Sequence, residues 1–599
     1  MQIDNESMDH LNQQKIKRLK RLRKKVNWEM EKERHELLDR LYPLIENWEG
    51  HYANFLDIFR RPEIHRLLMD SIDYWGKDES DDKLIEFITF VIRTGFEDEP
   101  VIDEEGKPLL HRTTAVHVAA RRRMSSRMDN QEDQLDMVID RLFSIYNKFN
   151  VNYIDERGMS HFHVACLSGC ESVVEKFLEL GQDPNFLWRE TGYSPLELAL
   201  GKWTSNIWSH KDIFQSLLEN GANPNVTNRK GQIPLHIIIT EIRPRNRRKH
   251  FMEMIFEFCQ DKYRPVQVNA RNQQGSTPLH LAMKGQKNVA IELLLKNGAD
   301  PNAVDNDGYT PLHTACFLFN HVSSLKLFFE INDELQQTVQ VNAVDNRGRT
   351  PLQLAVERGL PDVVDIFLDF GSDLSNFVFP FHTYFNDVRR RSCIFKIVLA
   401  SSILVIAESL ERRGYNLNRS DALMIMKLFA HYGLLEKSAN LDRSLHPAKY
   451  WYDDENFTSI ANEIKVNPSL SLYDLVLLQP EQAAKQLTLK DYYEWSRWGE
   501  LNDLLEMHRE ACTVNLCEKL SRKFFRRWAF DPFLELTHYR LPILCCDMII
   551  ENLGNEDLYN ICLAATGQSH KNNMNNRKRQ TTFQGCNEIY KRSKKYDDL

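Results

Sequence analysis

Apolar residues along this chain recur at helical spacing, in short bursts separated by glycine turns. One burst, Val289, Ile291, Leu293, Leu294 and Leu295, supplies the faces of a helix that Gly298 ends in a left-handed conformation. Just ahead of it, Thr277-Pro278 predicts a helix start: Thr caps free N–H groups, and Pro sits where no N–H is needed. Leu279-His280-x-Ala282 then packs that helix on its neighbour, the small Ala allowing close approach. Later bursts are longer and less regular. Ser420 to Tyr432 reads as a capped helix with Leu423, Met424, Met426, Leu428 and Phe429 on its apolar face, and Leu470 to Leu478 and Leu501 to Leu505 continue the pattern. Trp495 and Trp498, three apart, are expected on one buried face. Ile394 to Ala407 is an apolar run of fourteen residues with Lys396 and two serines inside. A membrane span needs about 20 apolar residues, so a buried helix is the expectation there.

The bursts repeat. Thr277-Pro278-Leu279-His280 returns thirty-three residues later as Thr310-Pro311-Leu312-His313. Looser copies begin at Thr114, Ser160, Ser194, Ile233 and Thr350, with His117, His163 and His236 in the same slot as His280 and His313. The glycines that open successive units, Gly158, Gly192, Gly231, Gly275, Gly308 and Gly348, are spaced by 34, 39, 44, 33 and 40 residues. A period near thirty-three with insertions closely resembles the ankyrin repeat, over residues 108 to 376 in seven units. Asp81 to Gly106 reads as a degenerate eighth unit. The repeated histidines are expected to hydrogen-bond within their own units, since the stack spaces them about 10 Å apart, too far to share a metal. Insertions at 201–213, 240–250 and 317–323 are expected to lengthen loops, and the basic run Arg243 to Lys249 falls in one of them. The resemblance implies a solenoid that binds a target protein through its turn tips and first helices.

Beyond Asn376 the period stops, and residues 377 to 469 read as a helical connection. The segment that follows ends in Leu541-Pro542, Ile549, Leu553, Asp557-Leu558 and Ile561. Pro542 predicts a helix carrying Met548, Ile549 and Leu553, and Gly554-Asn555 breaks it before a second helix. This order resembles an F-box, and at the end of an ankyrin array it resembles the PRANC domain of poxvirus ankyrin proteins, also found in parasitoid wasps and their symbionts. Residues 470–566 are assigned to that domain, including Ser471-Leu472-Tyr473-Asp474-Leu475. The resemblance implies that Leu541, Pro542, Ile549, Leu553, Asp557 and Leu558 dock on a Skp-type adaptor and so join a cullin-based ubiquitin ligase. The expected class is all-α: an N-terminal helical extension (1–80), repeats (81–376), the connection, the F-box-like domain and a basic tail (567–599).

With 599 residues the chain is long enough for about three to six domain-sized units. A net charge of −8 gives no global reason to bind nucleic acid. Eleven cysteines without a C-x-x-C pair argue for reduced thiols and against a disulfide frame or structural zinc. The first 25 residues lack the apolar stretch of a secretory signal, so a cytoplasmic monomer is expected, with no membrane partner. Lys15 to Lys25 holds eight basic residues broken by Ile16, Leu19 and Leu22 at spacing three, which suits a solvated helix or a nuclear-import signal. No phosphate loop, kinase loop or nucleophile elbow is present, and Cys545-Cys546 sits in an apolar stretch without an activating base. No enzymatic activity, cofactor or metal is therefore expected. Two readings stand: an adaptor that recruits a target to ubiquitylation, and a scaffold or inhibitor that sequesters a partner without degrading it.

Overall fold

The computed structural model describes residues 3–567 apart from 47, 49–51, 53, 76–81, 126–128, 202–207, 243–244, 318–321, 380–392, 436–450 and 498. Trp498, Tyr450, most of the aromatic run at 377–385, the centres of the three expected insertions and the basic tail lie outside the described residues.

Four helices come first: α1 (Ile3–Arg23), α2 (Glu31–Ile45), α3 (Arg61–Trp75) and α4 (Asp82–Arg93). Seven pairs follow among the described residues. They are α5/α6 (Ala115–Ser125, Asp129–Ile145), α7/α8 (His161–Ser168, Glu171–Glu179), α9/α10 (Pro195–Leu198, Trp208–Glu219) and α11/α12 (Pro234–Glu241, Arg245–Phe258). Then come α13/α14 (Pro278–Lys284, Asn288–Lys296), α15/α16 (Pro311–Ala315, Val322–Glu334) and α17/α18 (Pro351–Glu357, Pro361–Asp369). The C-terminal helices are α19 (Cys393–Arg412), α20 (Arg419–His431) and α21 (Glu455–Glu463). A hairpin of β1 (Lys465–Asn467) and β2 (Leu470–Ser471) precedes α22 (Leu472–Leu477), α23 (Pro480–Gln486) and α24 (Leu489–Ser496). The last three are α25 (Glu506–Leu536), α26 (Ile543–Asn552) and α27 (Asn555–Ala565). The chain forms two compact units, Met1–Thr314 with Leu327–Val339, and Ala315–Lys326 with Gln340–Leu599.

In the first unit, first helices stack on first helices: α5 on α7, α7 on α9, α9 on α11 and α11 on α13. Second helices do the same from α8 to α14. The pattern reaches back past the expected boundary, because α3 packs on α5 and α4 on α6. The degenerate unit read from Asp81 is thus the second half of a helix pair that begins at Arg61. A buried polar network ties α3 to the next pair. His65 Nε2 lies 3.0 Å from Asp98, Arg112 donates to the same oxygen at 2.9 Å, and Tyr153 donates to the other at 2.6 Å. Burial by itself would raise the Asp98 carboxyl; the donors from His65 and Tyr153 and the Arg112 charge hold it well below the usual carboxylate range.

In the second unit, α25 is one helix of 31 residues, and Pro532 lies inside it. It is the spine on which α22, α23, α26 and α27 pack. The apolar run at 394–407 is the buried helix expected: α19 packs on α24 and α25 with Ile397, Ala400, Leu404 and Ile406 hidden. No described helix is long and apolar enough to cross a membrane. Ser471, at the end of the hairpin, caps α22 by accepting from the Asp474 N–H at 3.1 Å.

Candidate protein-binding surfaces

The repeated turn is built by one Asp or Asn and one glycine. Asp103, Asp155, Asn228, Asn272, Asp305 and Asp345 each accept, on Oδ1, the N–H groups two and four residues on, at 2.8–3.1 Å. The glycine three residues after each has φ between 68° and 80°, the left-handed region that a side chain penalises. Asp103 to Gly106 has the same geometry as the rest, so the expected degenerate unit keeps a full turn.

The slot after each helix start is a capping position, and histidine is one of three residues that fill it. The N–H of the cap residue donates to the ring Nδ1 three residues on in His117, His163, His236, His280 and His313, at 3.0–3.2 Å. Glu197 and Gln353 do the same job with a side-chain oxygen, toward Ser194 at 2.8 Å and Thr350 at 2.9 Å. Because Nδ1 accepts, Nε2 carries the proton and is a donor. It reaches the carbonyl of Phe186 from His163 (2.6 Å), of Ser276 from His236 (3.1 Å) and of Tyr309 from His280 (2.8 Å). The Nδ1 bonds stay within each unit as expected, and the Nε2 bonds of His236 and His280 additionally reach the next unit. A correction concerns Thr277, whose hydroxyl makes no cap bond to the helix; it meets His280 Nδ1 at 2.8 Å. Burial pushes His163 and His236 down to about 4, and it lowers His280 as well, so the rings stay neutral.

Pro278 and Pro311 start their helices, and Leu279 and Leu312 are buried at 0% and 1% exposure. These signature residues are packing, leaving little of themselves at the surface. The basic run expected in a loop folds from Arg245 into α12. Arg247 donates to the carbonyls of Leu200 and Gly201, both at 2.9 Å, and the buried Arg248 donates to Ile242 at 2.7 Å.

In the second unit the F-box-like residues divide. Leu541, Pro542 and Ile549 are exposed, Leu553 is half-buried, and Leu558 is fully buried. The inclusion of Leu558 among partner contacts is therefore corrected, since it lies on the buried side of α27, the helix that packs on α25 and α20. Asp557 accepts from the Gly554 N–H at 3.0 Å and so caps α27. Residues not singled out from sequence carry the larger surface: Ile543, Leu544 and Met548 are 67%, 77% and 66% exposed. Cys546 and Ile550, four apart, face α25, which turns Leu544 and Met548, also four apart, outward. A buried clamp fixes this pose. Arg522 of α25 donates to the carbonyls of Ile550 (3.2 Å) and Glu551 (2.8 Å), two groups a helix end leaves unpaired. Asn555 donates to Glu518 O and Ser521 Oγ from the first position of α27.

Family models described as ankyrin repeats match residues 260–315 (many copies) and 290–377 (three copies). These are ankyrin repeats. The chain is 33% identical over 165 residues to a probable 26S proteasome regulatory subunit p28 of Saccharomyces cerevisiae, covering 26% of this chain and 65% of the yeast protein, under two thirds of its length. It is 28% identical over 172 residues to the putative ankyrin repeat protein FPV230 of Fowlpox virus, 25% of this chain and 88% of the viral one. The solved ankyrin repeat domain of Bcl-3 is 27% identical over 37% of this chain and 90% of that one, with a TM-score of 0.31.

Ankyrin repeats are protein-binding elements, and the fold is typically a non-catalytic scaffold. Here the ankyrin turns leave apolar side chains at their tips, among them Leu187, Val304 and Val344 at 40%, 45% and 58% exposure. Among the described residues, no group of His, Cys, Asp and Glu could hold a metal.

Proposed function

We propose that the chain is a substrate-recruiting adaptor: the ankyrin array holds a target protein, and α26 docks on a Skp-type adaptor to bring that target to a cullin-based ubiquitin ligase. The observation that carries this reading is the row Leu541, Ile543, Leu544, Met548 and Ile549, every member at least 38% exposed, on a helix whose pose is fixed by Arg522. A clustered apolar surface of this kind costs solubility and marks an interaction site. A repeat array in protein-turnover machinery has a precedent in the yeast relative, by its name a probable proteasome regulatory subunit. Catalysis then comes from proximity, since tethering raises the target's effective concentration at the ligase.

Affinity purification with cullin neddylation blocked tests it directly. Recovery of a Skp-type adaptor and a cullin, lost on deleting residues 541–599, is the expected result. If the same deletion leaves target turnover unchanged, the sequestering scaffold is the correct reading.

A further inference from the structure

The basic run folds as a docked helix from Lys15 to Arg23, with Lys24 and Lys25 in the turn that follows. Leu19 is fully buried, Lys15 Nζ sits 5.2 Å from the Trp48 ring, and Arg23 donates twice to Glu63, at 2.8 and 3.1 Å. Those anchors turn the remaining cations, Lys17, Arg18, Lys20, Arg21, Lys24 and Lys25, into solvent. Spaced by 100° per residue, the four on α1, Lys17, Arg18, Lys20 and Arg21, share the side opposite Leu19, and Lys24 and Lys25 follow in the turn after its end. None of the six has an ion-pair partner among the described residues. Like charges at positions three and four apart weaken a helix, so folding alone gives no reason for this row.

The row runs into a groove of about 350 Å³ between the end of α1 and α2. Leu22, Val26 and Leu37 line it, and Met30, 50% exposed, stands at its edge. Lys25, Lys32 and Arg40 line it as well, together with Glu33 and Glu36.

We propose that this face binds an acidic peptide segment of a partner protein, its carboxylates along α1 and one apolar side chain seated in the groove. Charge complementarity selects the acidic run, and the concave groove, with Leu22, Val26, Met30 and Leu37 among its charged lining, selects a protruding apolar side chain. Nucleic acid offers phosphates without such a side chain. A bilayer offers no protruding group for a socket. An import receptor that reads an extended basic strand would have to pull Leu19 and Arg23 out of their packing.

The test uses the full chain and a fluorescent peptide with a run of glutamates followed by one leucine, in about 0.15 M salt. Replacing that leucine by serine is expected to weaken binding about tenfold. The K17E/R21E/K24E variant is expected to weaken it by at least about tenfold with unchanged melting, and the milder K17Q/R21Q/K24Q variant serves if the first unfolds. Met30→Asp removes the preference for leucine and keeps the dependence on glutamate. Equal binding of the serine peptide, or binding indifferent to both triple variants, overturns the proposal. So does tighter binding to a DNA duplex, to phosphatidylserine vesicles or to a second copy of the chain.

Discussion

The ankyrin signature and the F-box-like segment are written with the same kinds of residue and use them in opposite ways. Leu279 and Leu312 vanish between helices, while Leu544 and Met548 stand 77% and 66% exposed. A repeat meets apolar partners made by its neighbours, so its leucines are consumed by stability. Helix α26 buries Cys546 and Ile550 toward α25 and is held there by the polar reach of Arg522 and Arg526. Its other apolar side has done nothing for the fold and is free for recognition. The difference can be broken or sharpened by substitution, because one region should report on stability and the other on binding.

The largest effect belongs to the array. Leu279→Ala is expected to cost about 2–5 kcal/mol, the range for truncating a buried leucine that cannot be replaced by relaxation. The loss should spread to the units opening at Gly231 and Gly308, read as faster hydrogen exchange in both. Exchange that stays slow in both neighbours would break the picture of a coupled stack.

Acid comes next. His163 and His236 have folded pKa values of about 4, below the 6.5 of an unfolded chain. The unfolded state then binds more protons below pH 6.5, so stability is complete above that value and falls as the pH drops toward 4. By pH 5 each ring should have lost about 2 kcal/mol. His236→Gln sharpens the point, because glutamine already fills the same slot at Gln353; the variant should retain the cap and shed its share of acid sensitivity. Melting curves at two pH values measure both.

How far sequence alone could see follows the same divide. The seven pairs from Ala115 to Asp369 were legible because a cap-like start and a turn glycine recur, with Pro and Leu in the later five, at a period near thirty-three with insertions. The pair α3/α4 was half missed: Arg61-Pro62 carries no Ser or Thr cap, and nothing in the local pattern says that α3 will stack on α5. The bridging role of the histidines was hidden too, since Nε2 finds its carbonyl only in the folded stack. In the C-terminal unit, Pro532 reads as a helix stop, yet α25 runs through it on the strength of packing along most of its length. For α26, apolar residues occupy nearly every side, so spacing could predict a helix and could not predict which side faces α25. That choice needed Arg522, 28 residues before Ile550 in the chain.

Arg522 offers the third test. Arg522→Met retains much of the apolar stem and removes the donors to Ile550 and Glu551. Stranding those carbonyls should cost about 1–3 kcal/mol. The change should loosen α26 and α27 and leave exchange in the ankyrin units unaltered. Adaptor binding should weaken with it, since the helix would lose its fixed pose before it meets a partner. A variant with tight α26 exchange would show that packing of Cys546 and Ile550 is sufficient by itself.

The smallest expected stability change is the most telling for function. Leu544→Asp places a charge on a side chain already 77% exposed, so nothing is desolvated and melting should shift by no more than about 0.5 kcal/mol. The same carboxylate would be buried on docking, where an unpaired charge is costly, and Skp-type adaptor binding should be abolished. Leu558→Asp is the matched opposite: that residue is fully buried, and the charge should unfold the C-terminal helices whether or not a partner exists. Leu544→Asp that melts normally and still captures the adaptor would remove α26 as the docking surface. Leu544→Asp that melts early would mean that Leu544 is packed, and the contrast between a consumed and an unspent apolar surface would fail at its sharpest point.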